Sequence, residues 1–318
     1  MTTVEAVEAE LWPGARPGPA WTLTSDDVAL TVTAHGAHVI DVRMRTDDVW
    51  RRVSVDYPQG DEPGGFHGGT VGRWANRIAG ASYVHDGTAH QLAANEGPHQ
   101  LHGGPDGFHC RRWELADLGQ HGVTLTMVSP DGDQGFPGEV HATVDFRLDA
   151  NELTITHNAT ADTPTPLNLT SHLYWNLAGP GTLAGHTLTL AADTYVRVDD
   201  ANIPVPGPPH AVQGTSFDCR TGRDLGAVAA SGGYDHCFVL DPTPPNAPIT
   251  LEHANGHRLQ MTTNQPGVQV YTGIHLDAHA KGVALETQRI PDGPNRPDFG
   301  PAIGTSFLNT TTYRLDHG

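Results

Sequence analysis

Apolar and polar positions alternate at period two along much of the chain. In 28–44, Val28, Leu30 and Val32 are separated by smaller or polar residues, the pattern of a strand with one buried face. Residues 82–92 place Asp86-Gly87 between two short extended runs, and residues 249–263 place Asn255-Gly256 between ITLEH and HRLQMTT. Both dipeptides tolerate positive φ angles, so each segment predicts a hairpin. A third antiparallel pair is expected over 139–160, where Val144, Phe146 and Leu148 alternate before Asp149-Ala150-Asn151 turns the chain into LTITH. Helical periodicity is almost absent and strands are followed by turns, which disfavours a parallel α/β sheet. The Gly- and Pro-rich stretches 57–69, 97–107, 129–138, 202–209 and 291–301 read as loops. With no internal repeat, low-complexity tract or linker, the expectation is one all-β domain over 1–318, a large antiparallel β-sandwich.

Composition agrees with this reading and narrows the function. The 37 glycines and 25 prolines in 318 residues suit a turn-rich chain. A net charge of −18, from 18 Lys+Arg against 36 Asp+Glu, repels phosphodiester backbones and anionic lipid surfaces, so neither nucleic acid nor membrane is expected as a partner. Lys281 is the one lysine, and no phosphate-binding glycine loop precedes it. Cys110, Cys219 and Cys237 are odd in number and widely spaced, so three reduced thiols are expected. The acidic start MTTVEAVEAELWPG is unlike a signal peptide, and no segment has membrane-spanning length. A cytoplasmic location is therefore expected, in which the sequons at Asn158, Asn168 and Asn309 carry no glycosylation meaning.

Two motifs fail on context. Gly179–Ala184 matches a dinucleotide fingerprint, but HTLTLAAD behind it reads as a strand where that motif must open a helix. His275 and His279 are spaced as in helical metal sites, yet HLDAH lies in a loop-like stretch, so no metal is expected. Among 20 histidines, His102, His172 and His236 stand out for their contexts NEGPHQLHGG, LNLTSHLYWNL and GGYDHCFVL, each open to a functional or a buried structural role. Asn76 and Arg77 offer a neutral and a cationic donor side by side in GGTVGRWANRIAGASY, suited to a polyhydroxylated ligand. The alternative for the arginines of this segment, Arg73 and Arg77, is stacking on Trp74 at the surface. Glu286 interrupts the apolar strand GVALETQRI, where desolvation would raise its pKa toward general-base values.

Taken together, GRWANRIAGASY (72–83), NEGPHQLHGG (95–104), DGDQGFPGEV (131–140), LNLTSHLYWNLAG (167–179), GGYDHCFVL (232–240) and QPGVQVYTG (265–273) leading to ALETQRIPDGPN (284–295) resemble the aldose 1-epimerase (galactose mutarotase) family, in order, across nearly the whole chain. The resemblance implies a galactose mutarotase-like β-sandwich with an open cleft. Its substrate would be a small free sugar, bound without cofactor or metal by a monomer or homodimer. It implies interconversion of α and β anomers, with Glu286 as general base on the anomeric hydroxyl and His172 as the acid that protonates the ring oxygen. Asn76, Arg77, His102 and Asp235 would contact the sugar, Gln269 would position substrate or Glu286, and Trp175 stands where a ring could stack on the sugar or serve the core. The chain departs from the family pattern after Phe299-Gly300, where it reads GPAIGTSFLNTTTYRL, and at Trp175, Pro98 and His99. Two other functions remain in view at this point: ring opening of a lactol or hemiketal in specialised metabolism, and sugar binding without catalysis.

Overall fold

The computed structural model describes residues 1–10, 17–55, 66–240, 248–276 and 281–318. Residues 57–65 of the first predicted loop, and His279, lie outside these. Three large antiparallel sheets dominate. A nine-stranded sheet runs in the order Glu114–Leu118, Gly122–Ser129, Val140–Asp149, Glu152–Pro166, Ile303–His317, His257–Thr263, Ile249–His253, His186–Thr189 and Arg223–Asp224. A six-stranded sheet orders Tyr174–Trp175, Val283–Gln288, Gly267–Tyr271, Asp235–Val239, Thr194–Tyr195 and His210–Ala211. The N-terminal sheet has five strands in chain order, from Thr3–Ala9 to Val49–Arg52.

The period-two pattern explains how they pack. On Val140–Asp149, Val144, Phe146 and Leu148 are fully buried while His141, Arg147 and Asp149 face out. One continuous core joins Trp21 and Leu30 of the N-terminal sheet, Phe146 and Ile155 of the nine-stranded sheet, and Val270 and Leu285 of the six-stranded sheet. Burying each such side chain is worth about 1.5–3 kcal/mol. The outward face of the large sheet is rich in threonine, with cross-strand contacts such as Thr154 Oγ1 to Thr312 Oγ1 at 3.1 Å.

All three predicted hairpins form, as Ser82–His85 with Thr88–Gln91, Ile249–His253 with His257–Thr263, and Val140–Asp149 with Glu152–Pro166. The run 28–44 is two strands, Val28–Thr33 and Val39–Thr46, because Gly36 and Ala37 adopt left-handed φ angles of 61° and 45° and turn the chain back. The residues after Gly179–Ala184 form the strand His186–Thr189, as expected. The divergent C-terminal segment becomes Ile303–His317, a central strand of the large sheet. A short helix, Leu225–Ala230, carries too few turns to leave a periodic signal; Asp224 caps it by accepting from the Ala227 N–H at 3.1 Å. Among the described residues no helix is long and apolar enough to cross a membrane.

Candidate active site

One end of the six-stranded sheet floors a cavity of about 380 Å³, within the range of small-molecule sites. Strand alternation delivers its chemistry. Cys237, Gln269 and Glu286 are register partners across three neighbouring strands, and Asp235, Tyr271 and Ala284 form the next such row. These residues share the face opposite Phe238, Val270 and Leu285, which enter the main core. Both faces of Val283–Gln288 are therefore covered, and the Glu286 carboxyl is almost wholly desolvated. The same parity acts on Tyr174–Trp175: Tyr174 lines the cavity, whereas Trp175 is fully buried against Tyr313. Of the two roles open to Trp175, the core role is the one it has.

The opposite wall comes from residues 72–78 and 95–104. Arg77 and Leu101 are register partners, with Asn76 and His102 beside them at φ angles of 66° and 51°. Left-handed backbone is tolerable for Asn and costs more for His, a departure that clusters at functional sites. Two hydrogen bonds hold it. The Asn76 N–H donates to His102 Nδ1 at 3.1 Å, and the His102 N–H donates to the Asn76 carbonyl at 3.1 Å. Close approach continues at Gly103, where a Cβ would lie 1.8 Å from the Gly72 carbonyl oxygen. Beneath this segment Asn168 accepts from the Arg289 N–H at 2.9 Å and donates to the Ala75 carbonyl at 3.2 Å, tying residues 73–77 to the end of the Glu286 strand.

Across the cavity His172 Nε2 lies 3.6 Å from Glu286 Oε1. Phe66 stacks on the His172 ring at 5.8 Å, and the His102 ring meets it edge-on at 5.2 Å. Burial pushes His172 down to about 3. Burial, with help from Asp235 and against the pull of Arg77, holds Glu286 well above the usual carboxylate range. Each charged form is disfavoured for the same reason, so the pair holds one proton whose position is governed by what enters the cavity. Glu286 Oε2 and His172 Nδ1 are buried without a hydrogen-bond partner among the described residues, the condition a hydroxylated ligand would relieve.

Arg77 donates through Nε and Nη2 to both oxygens of Glu96, at 2.6 and 2.8 Å, and its Nη1 faces Asp235 Oδ2 at 3.6 Å. Burial works against the cation, but these carboxylates and Glu286 outweigh it and hold its pKa above the ordinary arginine value. Gln269 donates to Asp235 Oδ1 at 2.6 Å and does not line the cavity, so it reaches the site through Asp235.

His102, His172 and Glu286 place one ligand-type atom each within 4.8 Å of the others, a composition that could suit a divalent ion. The Asn76 N–H, however, occupies the Nδ1 lone pair of His102, which leaves the proton on Nε2. That nitrogen is fitted to donate to a hydroxyl and not to ligate a metal.

Asn76, Arg77, His102, His172, Asp235 and Glu286 thus converge on one cavity. His236 does not; it points to the other face, against Tyr195 and Phe217. Arg73 is neither surface-exposed nor in the cavity, for its guanidinium is consumed by Ser129 Oγ and the carbonyls of Ser129, Pro130 and Pro137 at 2.7–3.0 Å. Sequence reasoning missed Glu96, Phe66, Tyr174 and Tyr271. Period-two parity with His172 and with Gln269 could have found the two tyrosines; Glu96 and Phe66 sit in turns and loops, where no periodicity applies.

Residues 19–313 match the protein family described as aldose 1-epimerase. Galactose mutarotase from Rattus norvegicus is 40% identical over 99% of each chain. Aldose 1-epimerase from Escherichia coli K12 is 38% identical over 74% of each. Among solved structures, an aldose epimerase homologue from C. elegans superposes with a TM-score of 0.85 at 28% identity, covering 99% of both chains. Galactose 1-epimerase from Lactobacillus acidophilus gives 0.84 at 27% identity, covering 100% of this chain and 99% of that one.

Proposed function

The chain belongs to the aldose 1-epimerase family, and from that premise we propose that it is an isomerase interconverting the α and β anomers of free aldoses such as glucose, galactose or xylose. The observation that carries the site assignment is the buried Glu286–His172 pair at 3.6 Å on the floor of a cavity walled by hydroxyl-binding groups.

In the reaction Glu286 removes the proton of the anomeric hydroxyl while His172 gives one to the ring oxygen, and the C1–O5 bond breaks to leave an aldehyde. Rotation about C1–C2 presents the other carbonyl face. On closure the C5 hydroxyl attacks C1, His172 recovers its proton and Glu286 returns one to the carbonyl oxygen. Both groups end as they began. Ring opening discharges both enzyme groups, carboxylate to acid and imidazolium to imidazole. Burial disfavours their charged forms, so it lowers the free energy of the enzyme as the ring opens. Arg77, which pulls the Glu286 pKa back down, keeps the carboxylate within reach for the first step. His102 Nε2–H, Asn76, Arg77 and Asp235 orient the neutral sugar by hydrogen bonds, and Gln269 orients Asp235. A cytoplasmic setting is part of this proposal, supported by the three cysteines that form no disulfide.

Polarimetry on freshly dissolved α-glucose, α-galactose and α-xylose tests the activity. Faster decay of rotation with protein than with buffer is expected for at least one sugar, and none for any would overturn the reading.

A further inference from the structure

Nothing in the acid–base chemistry requires Glu96, yet this residue makes a short bidentate contact in the cavity wall. Its carboxylate takes both Nε and Nη2 of Arg77, and its side chain stays 37% exposed, facing the space a ligand would enter. Asn95 fixes the turn that presents it, accepting from the Leu101 N–H at 2.7 Å and donating to the Leu101 carbonyl at 3.0 Å.

The charge count of the wall follows. Among the described lining residues Arg77 is the one arginine or lysine, and it faces three acids, Glu96, Asp235 and Glu286. Its Nε and Nη2 are bound to Glu96 and its Nη1 is turned to Asp235 at 3.6 Å, so the N–H groups left on Nη1 and Nη2 can donate to hydroxyls but sit among carboxylates that repel an anionic ligand. A bidentate pair of this kind is also the firmest way to hold an arginine in one orientation. We propose that Glu96 is a positioning and specificity residue that reserves Arg77 for hydroxyl recognition and makes the site select uncharged aldoses against aldoses carrying a carboxylate. The proposal rests on the aldose reading above and adds the charge class of the substrate.

The test compares D-galactose with D-galacturonate, which differ by oxidation of the terminal carbon. For each, kcat/KM by polarimetry and Kd by calorimetry are measured in wild type, Glu96→Gln and Glu96→Asp at low and high ionic strength. Wild type is expected to prefer galactose by about a hundredfold at low salt, as juxtaposed like charges cost several kcal/mol. Glu96→Gln should narrow that preference by about tenfold or more, because the freed guanidinium can now pair with the sugar carboxylate. Glu96→Asp, which keeps the charge, should preserve most of it. Added salt should narrow the wild-type preference without any substitution. A brace for Arg77 with no part in selectivity would lower both sugars together. A ratio unchanged in Glu96→Gln and insensitive to salt, or wild type accepting both sugars equally, overturns the proposal. If neither sugar is turned over, the activity assignment fails while the Kd ratio still decides the selectivity.

Discussion

The nine-stranded and six-stranded sheets follow the same period-two rule and use it for different ends. On Val140–Asp149 buried apolar residues alternate with exposed or half-buried polar ones, so this strand has one wet face and one dry one. On Val283–Gln288 every residue is buried, and one dry face carries Val283 and Leu285 while the other carries Ala284, Glu286 and Gln288. A carboxylate on the first sheet would point to water and keep an ordinary pKa. On the second it is almost wholly buried at the base of a cavity, and the proposed mechanism uses the raised proton affinity that follows. Covering both faces of a sheet is what turns a strand carboxylate into a candidate general base.

The strongest way to break the contrast is to remove the chemistry and keep the packing. Glu286→Gln and His172→Asn are each expected to lower kcat by about 10²–10⁴-fold, the range for one positioned acid or base. Thermal denaturation should show both variants folded. Turnover near wild type in either variant would remove that residue from the mechanism. The converse substitution is Phe146→Ala in the nine-stranded sheet, where a fully buried ring is lost. Denaturant titration should show about 3–5 kcal/mol less stability, with kcat unchanged in the folded fraction.

Titration sharpens the comparison. His157 on Glu152–Pro166 and His172 over the cavity are both pushed by burial down to about 3. A depressed histidine pKa stabilises the fold above the unfolded value of 6.5, and the gain is lost as pH falls toward the folded value. The stability margin of wild type over His157→Gln should therefore be largest above pH 6.5 and shrink by about 1.4 kcal/mol per pH unit below it. The kcat profile, in contrast, should show no acid limb near 6.5, because burial keeps His172 from taking up a second proton for the pair until far below that pH. An acid limb centred on the ordinary histidine value would contradict the burial argument. Smallest of all, Thr312→Val on the outer face should change stability by less than about 0.5 kcal/mol and leave kcat alone.

The fold was legible in the sequence because local signals and long-range order agree in it: turn dipeptides such as Asp86-Gly87 and Asn255-Gly256 sit where the hairpins turn. Glu286 was legible for a similar reason, as a lone charge within an apolar strand. Arg73 and Arg77 were not separable by sequence. Four residues apart in one motif, they differ only in what the fold brings to them: backbone carbonyls for the first, carboxylates at a cavity for the second. Glu96 left no trace because a carboxylate in a Gly- and Pro-rich turn is ordinarily solvated, and only the pairing of Gln100–Leu101 with Arg77–Ile78 brings it against a guanidinium.

The central claim is that this buried pair opens and recloses a sugar ring. The most direct measurement is exchange NMR on glucose at anomeric equilibrium, following transfer of magnetisation between the α and β H1 signals. Wild type should give exchange cross-peaks that grow with enzyme concentration, and Glu286→Gln should give the buffer rate. Equal exchange with wild type and Glu286→Gln, or exchange no faster than buffer with either, would contradict the account.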